Sequence, residues 1–223
     1  TWALPRLDRL DSNPCRDAGR PPAPKARDRV LSDRELAVLW DALGNEHEPW
    51  TSAIRLLILT GQRRNEVYSA EWVEFDTKQR IWTIPAARAK NGKTHIVPLS
   101  DFALNIIEKL ERTGTSSKLF PAKSSPHNGA SGFSKVQARL RSAVEKKLGN
   151  VDEWRLHDLR RTVATGLQRI GVRLEVTEAV LNHVSGSQAG IVGVYQRYNF
   201  SSEKRSALDA WADVRASACR HRA

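Results

Sequence analysis

Two arginines and a histidine occur in settings that suit the binding of a phosphodiester. Arg63 follows an apolar segment that ends at Gly61, and Arg160 ends the run HDLR, which begins at His157. A guanidinium group donates paired hydrogen bonds to phosphate oxygens, and two such groups can offset the charge that develops when phosphorus is attacked. A loop arginine in isolation is more often simply solvated. The prediction therefore depends on the two arginines meeting in the fold.

His157 and Arg160 share one face if a helix begins at or just before His157. The N-terminus of a helix favours anions, and a histidine with a pKa of about 6.5 can exchange protons at neutral pH. This helix start is thus predicted to lie at a phosphate that undergoes chemistry. The alternative is a surface histidine beside a basic helix.

Lys90 and Lys93 flank the turn signal Asn91-Gly92. A lysine on a hairpin is usually only solvated. From their positions alone, either of the two could be the one with a chemical role. His183, the last residue of the run LNH, is by itself an ordinary histidine at a helix end.

A nucleophile that attacks phosphorus and is later displaced is best supplied by a tyrosine, whose phenolate is a stable anion. The chain has three tyrosines, Tyr68, Tyr195 and Tyr198. Tyr68 is predicted to lie on a core helix, where it is poorly placed for this work. Tyr195 and Tyr198 remain as alternatives.

Four patterns occur in one order: TGQRRNE (60–66), Lys90 before its turn, HDLR (157–160), and LNH (181–183) followed by GVYQRY (193–198). In order and spacing they resemble the phage-integrase family of tyrosine recombinases over about residues 30–215. The runs IVPLS (96–100) and WAD (211–213) resemble its prophage-integrase branch. The resemblance implies cutting and rejoining of DNA through a 3′-phosphotyrosine, with no cofactor and no metal.

The resemblance also implies a role for each matching residue. Arg63 and Arg160 would bind the scissile phosphate, His157 would assist proton transfer at the nucleophile, and His183 would hydrogen-bond a phosphate oxygen. Lys90, which has the family's offset from Pro98, would protonate the departing 5′ oxygen. The family pattern favours Tyr195 as nucleophile, but the segment between it and His183 is longer than is common, so Tyr198 stays open. We further expect Glu66 to brace an arginine. Four other basic residues are expected to contact DNA: Arg64, Lys93, Arg161 and Arg197. For Arg161 the alternative is a packing role.

The elements that must position these residues can be read from hydrophobic periodicity. Helices are predicted from a capping box at Ser32 and Glu35, over about 50–60 and 64–70, after Ser100, from Phe133, over 158–170, and over about 173–182 and 202–217. Strands are predicted over 72–76, 80–85 and 94–99, and a loop over 113–131. The predicted fold is mainly α with a small three-stranded antiparallel β-sheet, as the resemblance to tyrosine recombinase catalytic domains implies.

Composition points to a polyanionic partner. The 223 residues carry 36 Lys and Arg against 25 Asp and Glu, a net charge of +11, which favours nucleic acid over an anionic membrane surface. We expect a cytoplasmic, nucleoid-associated protein with two free cysteines. Residues 1–29, rich in proline and charge, are interpreted as a linker remnant from an upstream DNA-binding domain. Residues 30–223 would form the catalytic domain with a C-terminal helical tail.

The expected partners are double-stranded DNA attachment sites. By the resemblance, the protein would be a monomer when free and would form a homotetramer on paired sites. Accessory DNA-bending proteins would be further partners. Two alternatives remain: a type IB-like topoisomerase, and a non-catalytic DNA-binding protein of the same fold. The first would relax supercoils as a monomer, and the second would bind DNA without a covalent adduct.

Overall fold

Local capping signals begin the first helix of the protein. In the computed structural model, which describes residues 27–122, 125–183 and 198–220, the Ser32 hydroxyl accepts the Glu35 N–H at 3.2 Å. The Glu35 carboxylate accepts the Ser32 N–H at 2.7 Å. This reciprocal pair satisfies N–H groups that the helix itself leaves without partners, and the predicted capping box is confirmed.

Helices make up most of the described structure, at positions close to those predicted. They are α1 (Asp33–Leu43), α2 (Trp50–Thr60), α3 (Arg64–Tyr68), α4 (Asp101–Glu108), α5 (Phe133–Leu148), α6 (Leu156–Arg169), α7 (Leu174–Val180) and α8 (Ser201–Arg220). Ser100 caps α4 by accepting the Ala103 N–H. Helix α6 begins one residue before His157, as the phosphate-site prediction required.

The three-stranded antiparallel sheet is confirmed, with strands β1 (Phe75–Asp76), β2 (Ile81–Ile84) and β3 (His95–Pro98) in the order β1-β2-β3. Trp82 lies opposite Val97, and Ile84 opposite His95. The first strand was predicted to begin at residue 72, which is wrong. Residues 72–74 form a 3₁₀ turn, since the buried Glu74 carboxylate turns inward to accept the Trp82 indole N–H at 2.9 Å.

The predicted loop over 113–131 is wrong in part. Strands β4 (Pro121–Ala122) and β5 (Ser125–Gly129) pair antiparallel within it. The segment has no hydrophobic alternation to reveal a strand, and backbone packing decides its path. A Cβ at Gly129 would lie 2.3 Å from the Tyr68 carbonyl oxygen, so only glycine permits this approach.

Helix α6 packs against α2, α7 and α8. Its buried stripe of Leu159, Val163 and Leu167 joins the core formed by the surrounding helices and the sheet. Gly166 lets α8 come close, because a Cβ there would meet the Trp211 ring at 2.1 Å. The Trp211 indole N–H donates to the Ile58 carbonyl at 2.8 Å, so α8 is tied to α2 as well as to α6.

The segment before α1 is held against α6. The Thr162 hydroxyl accepts the Leu31 N–H at 3.0 Å and donates to the Asp158 carbonyl at 2.8 Å. Arg27 donates to the Asp158 carboxylate at 3.3 Å. Among the helices that the structure describes, none combines the length and apolar character needed to cross a membrane.

Candidate active site

Arg63 is placed by the end of α2. The chain leaves the helix at Gly61, which has φ 65° and whose Cβ, if present, would lie 2.9 Å from Val163. Glycine is therefore required here for both backbone conformation and space. Glu66 accepts the Arg63 backbone N–H at 3.0 Å and its guanidinium N–H at 3.1 Å, the contact expected of a brace. Arg63 also donates to the Asn182 carbonyl at 3.3 Å.

Arg160 is buried on α6 and points at the same place. Its Nη1 donates to the Gly61 carbonyl at 2.8 Å, and its Nη2 donates to the Leu181 carbonyl. These two carbonyls come from the end of α2 and the end of α7. One guanidinium thus joins three helices, and a neighbouring carbonyl, that of Asn182, holds Arg63.

The two arginines, the arginine pair hereafter, are close enough to repel each other. Burial, and then the charge of Arg63, lower the pKa of Arg160 to about 9, while Glu66 acts in the opposite direction. Arg160 is still a cation at neutral pH. Two like charges held together at the cost of repulsion are typical of a binding site for an anion, since a bound phosphate offsets both.

His157 lies on the first turn of α6, three residues before Arg160. Partial desolvation of its ring, and then the charges of Arg161 and Arg160, lower its pKa, and Lys90 adds to this effect. The turn itself is fixed by buried Asp158, whose carboxylate accepts the Arg155 N–H at 2.8 Å. His157 is therefore presented as a neutral imidazole beside cationic groups.

Arg161 donates to the Asp158 carboxylate. Its side chain is about one third exposed, at 34%. An arginine in this state contributes to packing of the helix start and still offers part of its guanidinium to solvent. Packing at the helix start is thus observed for Arg161, and a DNA contact of its exposed part stays a prediction.

His183 follows α7 and is half-buried, with its backbone N–H donating to the Glu178 carbonyl at 3.0 Å. Desolvation, and then the charges of Arg160 and Arg63, lower its pKa, and His157 contributes in the same direction. The charge of Arg160 thus lowers the pKa of both histidines. Residues from the end of α2, the start of α6 and the end of α7 converge at one place.

Lys90 lies on the connection between β2 and β3, residues 85–94, hereafter the 85–94 loop. Its side chain is exposed, and its charge contributes to the lowered pKa of His157, so the two side chains interact electrostatically. Lys93 is also exposed, on the far side of the turn. Its backbone N–H donates to the Asn91 side chain at 3.1 Å.

The three tyrosines have different surroundings. Tyr68 is buried in an aromatic cluster, 4.5 Å from Phe133 between ring centroids, and burial raises its pKa. Tyr198 is 60% exposed and donates to Glu203 at 3.1 Å. Tyr195 and Arg197 lie outside the described residues.

Arg64 begins α3 and is exposed, with its guanidinium 4.6 Å from the centre of the Phe133 ring. A cation over a ring face keeps its outer edge available to solvent. Arg64 is thus placed one residue from Arg63 with donors free to reach a polyanion.

Sequence reasoning missed several polar residues that hold this region together. Gln62 is buried and donates to the Thr60 carbonyl at 2.8 Å and the Val180 carbonyl at 2.9 Å. His95 donates to the Val180 carbonyl at 3.1 Å, and burial, followed by the charge of Lys204, lowers its pKa to about 3. Lys204 donates to the Ile96 carbonyl at 2.7 Å, and burial lowers its pKa to about 8.

A signal for His95 was present in the sequence. His95 alternates with Val97 and Leu99, so period-2 patterning puts it on the same face of the strand as two apolar residues. All three are buried in the structure. Gln62 and Lys204 have no such signal, because their partners lie more than a hundred residues away in the chain.

The arrangement offers several cationic donors and two neutral histidines around one place, which suits a phosphodiester whose charge increases during substitution at phosphorus. Within residues 27–122, 125–183 and 198–220, no three His, Cys, Asp or Glu side chains lie together so as to hold a metal ion.

The chain is similar to known integrases in sequence and in fold. The chain is 35% identical over 158 residues to prophage integrase IntA of Escherichia coli K12, covering 70% of this chain and 36% of IntA. The solved integrase of mycobacterium phage Brujita superposes with a TM-score of 0.62 at 22% identity, over 93% of this chain and 66% of that one. A lambda integrase tetramer bound to a Holliday junction gives a TM-score of 0.56 at 16% identity, over 79% and 53%.

The structural likeness shows the fold, which is that of tyrosine recombinase catalytic domains. Residues 29–201 match the model of the phage integrase family. The chain belongs to that family. It spans little more than a third of the IntA sequence.

Proposed function

We propose that this chain is the catalytic part of a site-specific DNA recombinase, an integrase that cuts and rejoins DNA through a 3′-phosphotyrosine. The observation that carries the proposal is the arginine pair, held by backbone carbonyls beside His157 and His183. Such an array binds the non-bridging oxygens of one phosphodiester and favours the transition state over the ground state, because its charge matches the greater charge at pentavalent phosphorus.

In the proposed reaction, a tyrosine hydroxyl attacks the scissile phosphorus, and neutral His157 assists removal of its proton. The new bond is tyrosine Oη to phosphorus, and the bond that breaks joins phosphorus to the 5′ oxygen. Lys90 gives that oxygen a proton, so it leaves as a hydroxyl. His183 donates a hydrogen bond to a phosphate oxygen.

Rejoining is the same reaction in reverse. A 5′ hydroxyl of the partner strand attacks the phosphotyrosine, and the tyrosine leaves as phenolate or takes a proton back. The energy of the broken phosphodiester is retained in the phosphotyrosine, so the chemistry of joining requires no nucleotide.

The proposed partners are double-stranded DNA attachment sites, supported by the net charge of +11 and by the lambda relative solved as a tetramer on a Holliday junction. We also propose that the protein is a monomer when free and forms a homotetramer on paired sites, with accessory DNA-bending proteins as further partners. Its proposed location is cytoplasmic and nucleoid-associated.

Residues 1–29 are proposed to be a linker, and residues 30–223 the catalytic domain. The proline-rich composition of residues 1–29 supports the linker role.

Covalent trapping tests the proposal. The chain is incubated with a pool of nicked duplexes of randomised sequence, and DNA attached to protein is recovered from detergent and sequenced. A nick just beyond the cleavage point lets the short product diffuse away, so the adduct accumulates. We expect an adduct at a defined sequence, and no adduct with Tyr195→Phe.

The matched variant is Tyr198→Phe, which we expect to retain the adduct. An adduct that survives Tyr195→Phe and disappears with Tyr198→Phe moves the nucleophile to Tyr198. Binding of DNA with no adduct from the wild-type chain would instead identify a non-catalytic DNA-binding protein.

A further inference from the structure

A pair of asparagines joins the 85–94 loop to the end of α7. The Asn91 amide donates to the Asn182 side-chain oxygen at 2.6 Å, and the Asn182 amide donates back to Asn91 at 3.3 Å. Each side chain is partly buried and serves as donor and acceptor for the other. The pair connects residues 91 positions apart in the chain.

Asn182 lies at a junction of the site. The carbonyl of Leu181 accepts Arg160, the carbonyl of Asn182 accepts Arg63, and His183 follows directly. Asn182 has φ 50°, a left-handed conformation that asparagine adopts more readily than most other residues. This backbone conformation lets one residue present its carbonyl to an arginine and its side chain to the 85–94 loop.

The loop has few other constraints at its tip. Lys90 and Lys93 are exposed, and a Cβ at Gly92 would meet no atom within 4 Å. Among the hydrogen bonds described for residues 90–94, those to Asn182 are the only ones made by a side chain to a distant part of the chain. Without that attachment, the backbone next to Lys90 would no longer be tied to Asn182, the residue whose carbonyl accepts Arg63.

We propose that Asn91 and Asn182 are positioning residues that hold Lys90 beside the arginine pair and so set the efficiency of leaving-group protonation. The inference rests on the proposed function, because it requires Lys90 to be the general acid. A neutral amide pair suits this place. A carboxylate at either position would pair with Lys90 or an arginine and compete with the phosphate for it.

The test uses a substrate that does not need the acid. In a duplex with sulfur in place of the bridging 5′ oxygen at the mapped cleavage point, the group leaves as a thiolate, whose conjugate acid has a pKa of about 8.5 in a model thiol. A thiolate departs without a proton. Loss of Lys90 should therefore impair cleavage of the oxygen substrate and leave the sulfur substrate near wild type.

The variants are Asn91→Ala and Asn182→Gly, the second of which tolerates the left-handed backbone. We expect single-turnover cleavage of the oxygen substrate to fall about tenfold to a hundredfold, below the loss for Lys90→Ala, because a displaced acid still donates some of the time. Cleavage of the sulfur substrate should recover to near wild type. That recovery also shows that the variants are folded.

The double variant Asn91→Ala/Asn182→Gly should be no slower than the slower single variant, since either change removes the same pair. Gln79→Ala is the matched control: it deletes an exposed amide at the opposite turn of the same sheet and should cleave both substrates at the wild-type rate.

The outcomes separate the two proposals. A wild-type chain that forms no adduct overturns the proposed function and this inference with it. Failure of Lys90→Ala to recover on sulfur overturns the acid role and the inference, but leaves the adduct chemistry standing. Suppose that Lys90→Ala recovers on the sulfur substrate. If the asparagine variants then cleave the oxygen substrate at the wild-type rate, only the inference fails. The same holds if they stay slow on the sulfur substrate.

Discussion

At the scale of single residues, the two arginines differ in how deeply they belong to the fold. Arg160 is buried and donates to carbonyls from two helix ends, whereas Arg63 is 19% exposed and braced by Glu66. Loss of Arg160 would leave two buried carbonyls without their donor, which costs stability. Loss of Arg63 would leave the buried Glu66 carboxylate without its guanidinium partner, which costs stability as well.

We therefore expect Arg63→Ala and Arg160→Ala each to lower cleavage by at least about a hundredfold, the scale of losing one preorganised charge donor. Both variants should also lower the melting temperature, because each leaves buried polar groups without their partner. Single-turnover cleavage at saturating protein and thermal unfolding measure the two effects. The control is Arg141→Ala, which removes a guanidinium from an ion pair with Glu145 on α5. A wild-type cleavage rate in Arg63→Ala or Arg160→Ala would refute the proposal that the arginine pair binds the scissile phosphate.

The lowered pKa of His157 predicts the acid limit of cleavage. His157 must be neutral to take a proton, so cleavage is lost as pH falls through its pKa. That pKa lies below its ordinary value through desolvation and the charges of Arg161 and Arg160, so the midpoint should lie below about pH 6.5. Arg161→Gln removes a positive charge and should move the midpoint upward.

Cleavage rates between about pH 5 and 8, at saturating protein, measure this midpoint. Arg141→Gln, a guanidinium deletion on another helix, should leave it where the wild type has it. A midpoint that does not move in Arg161→Gln would mean that a group other than His157 sets the acid limit.

At the scale of elements, the site depends on how closely the helices approach. The ends of α2 and α7 meet at Arg160 of α6, whose guanidinium donates to a carbonyl of each. The contact of α6 with α8 is made at Gly166 and Trp211. The short sheet contributes through His95, which ties β3 to the end of α7. Secondary structure alone does not specify these approaches.

Gly166→Ala tests the approach of α6 to α8. In an isolated helix this change would stabilise by about 1 kcal/mol, but here the new Cβ would meet the Trp211 ring at 2.1 Å. We expect the free energy of unfolding in urea to fall by about 1–3 kcal/mol or more, the usual effect of overpacking. Exposed Gln168→Ala on the same helix should change it by less than about 0.5 kcal/mol. A stabilised Gly166→Ala would show that the two helices are not in contact.

At the scale of the whole molecule, charge governs association with DNA. The net charge of +11 is spread over several elements, and phosphate contacts release counterions, so binding should weaken steeply as salt rises. Preference for a DNA sequence does not follow from this attraction between charges, because phosphates carry no sequence information.

Lys93→Ala should reduce the slope of log affinity against log salt by about one, as expected for one lost phosphate contact. Lys147→Ala is the control. Phe133, at the start of α5, contacts Arg64 beside the site, and Lys147 lies roughly 20 Å further along that helix, within 3.8 Å of Asp41. Fluorescence anisotropy with the duplex recovered by trapping measures both slopes. Equal slopes for wild type and Lys93→Ala would remove Lys93 from the DNA interface.

Local chemistry explains which features could be predicted from the sequence. The capping box at Ser32, the helix end at Gly61 and the start of α6 before His157 depend on residues within one turn of each other, so their patterns are visible along the chain. The same holds for the order of the family motifs. The β4–β5 pair was missed because its segment lacks hydrophobic alternation. The 3₁₀ turn at Trp72 was missed because a contact outside it, that of Glu74 with Trp82, stabilises it.

The sequence by itself determined the residue types of the site and the helices that carry them. Only the tertiary structure decided that carbonyls of Leu181 and Asn182 receive the arginine pair, and that Asn91 reaches Asn182. These contacts, apart from that of Arg160 with Leu181, join residues about a hundred positions apart. Such pairs leave no periodic trace, because their geometry arises when buried helices and a sheet pack together and each buried polar group must find a partner.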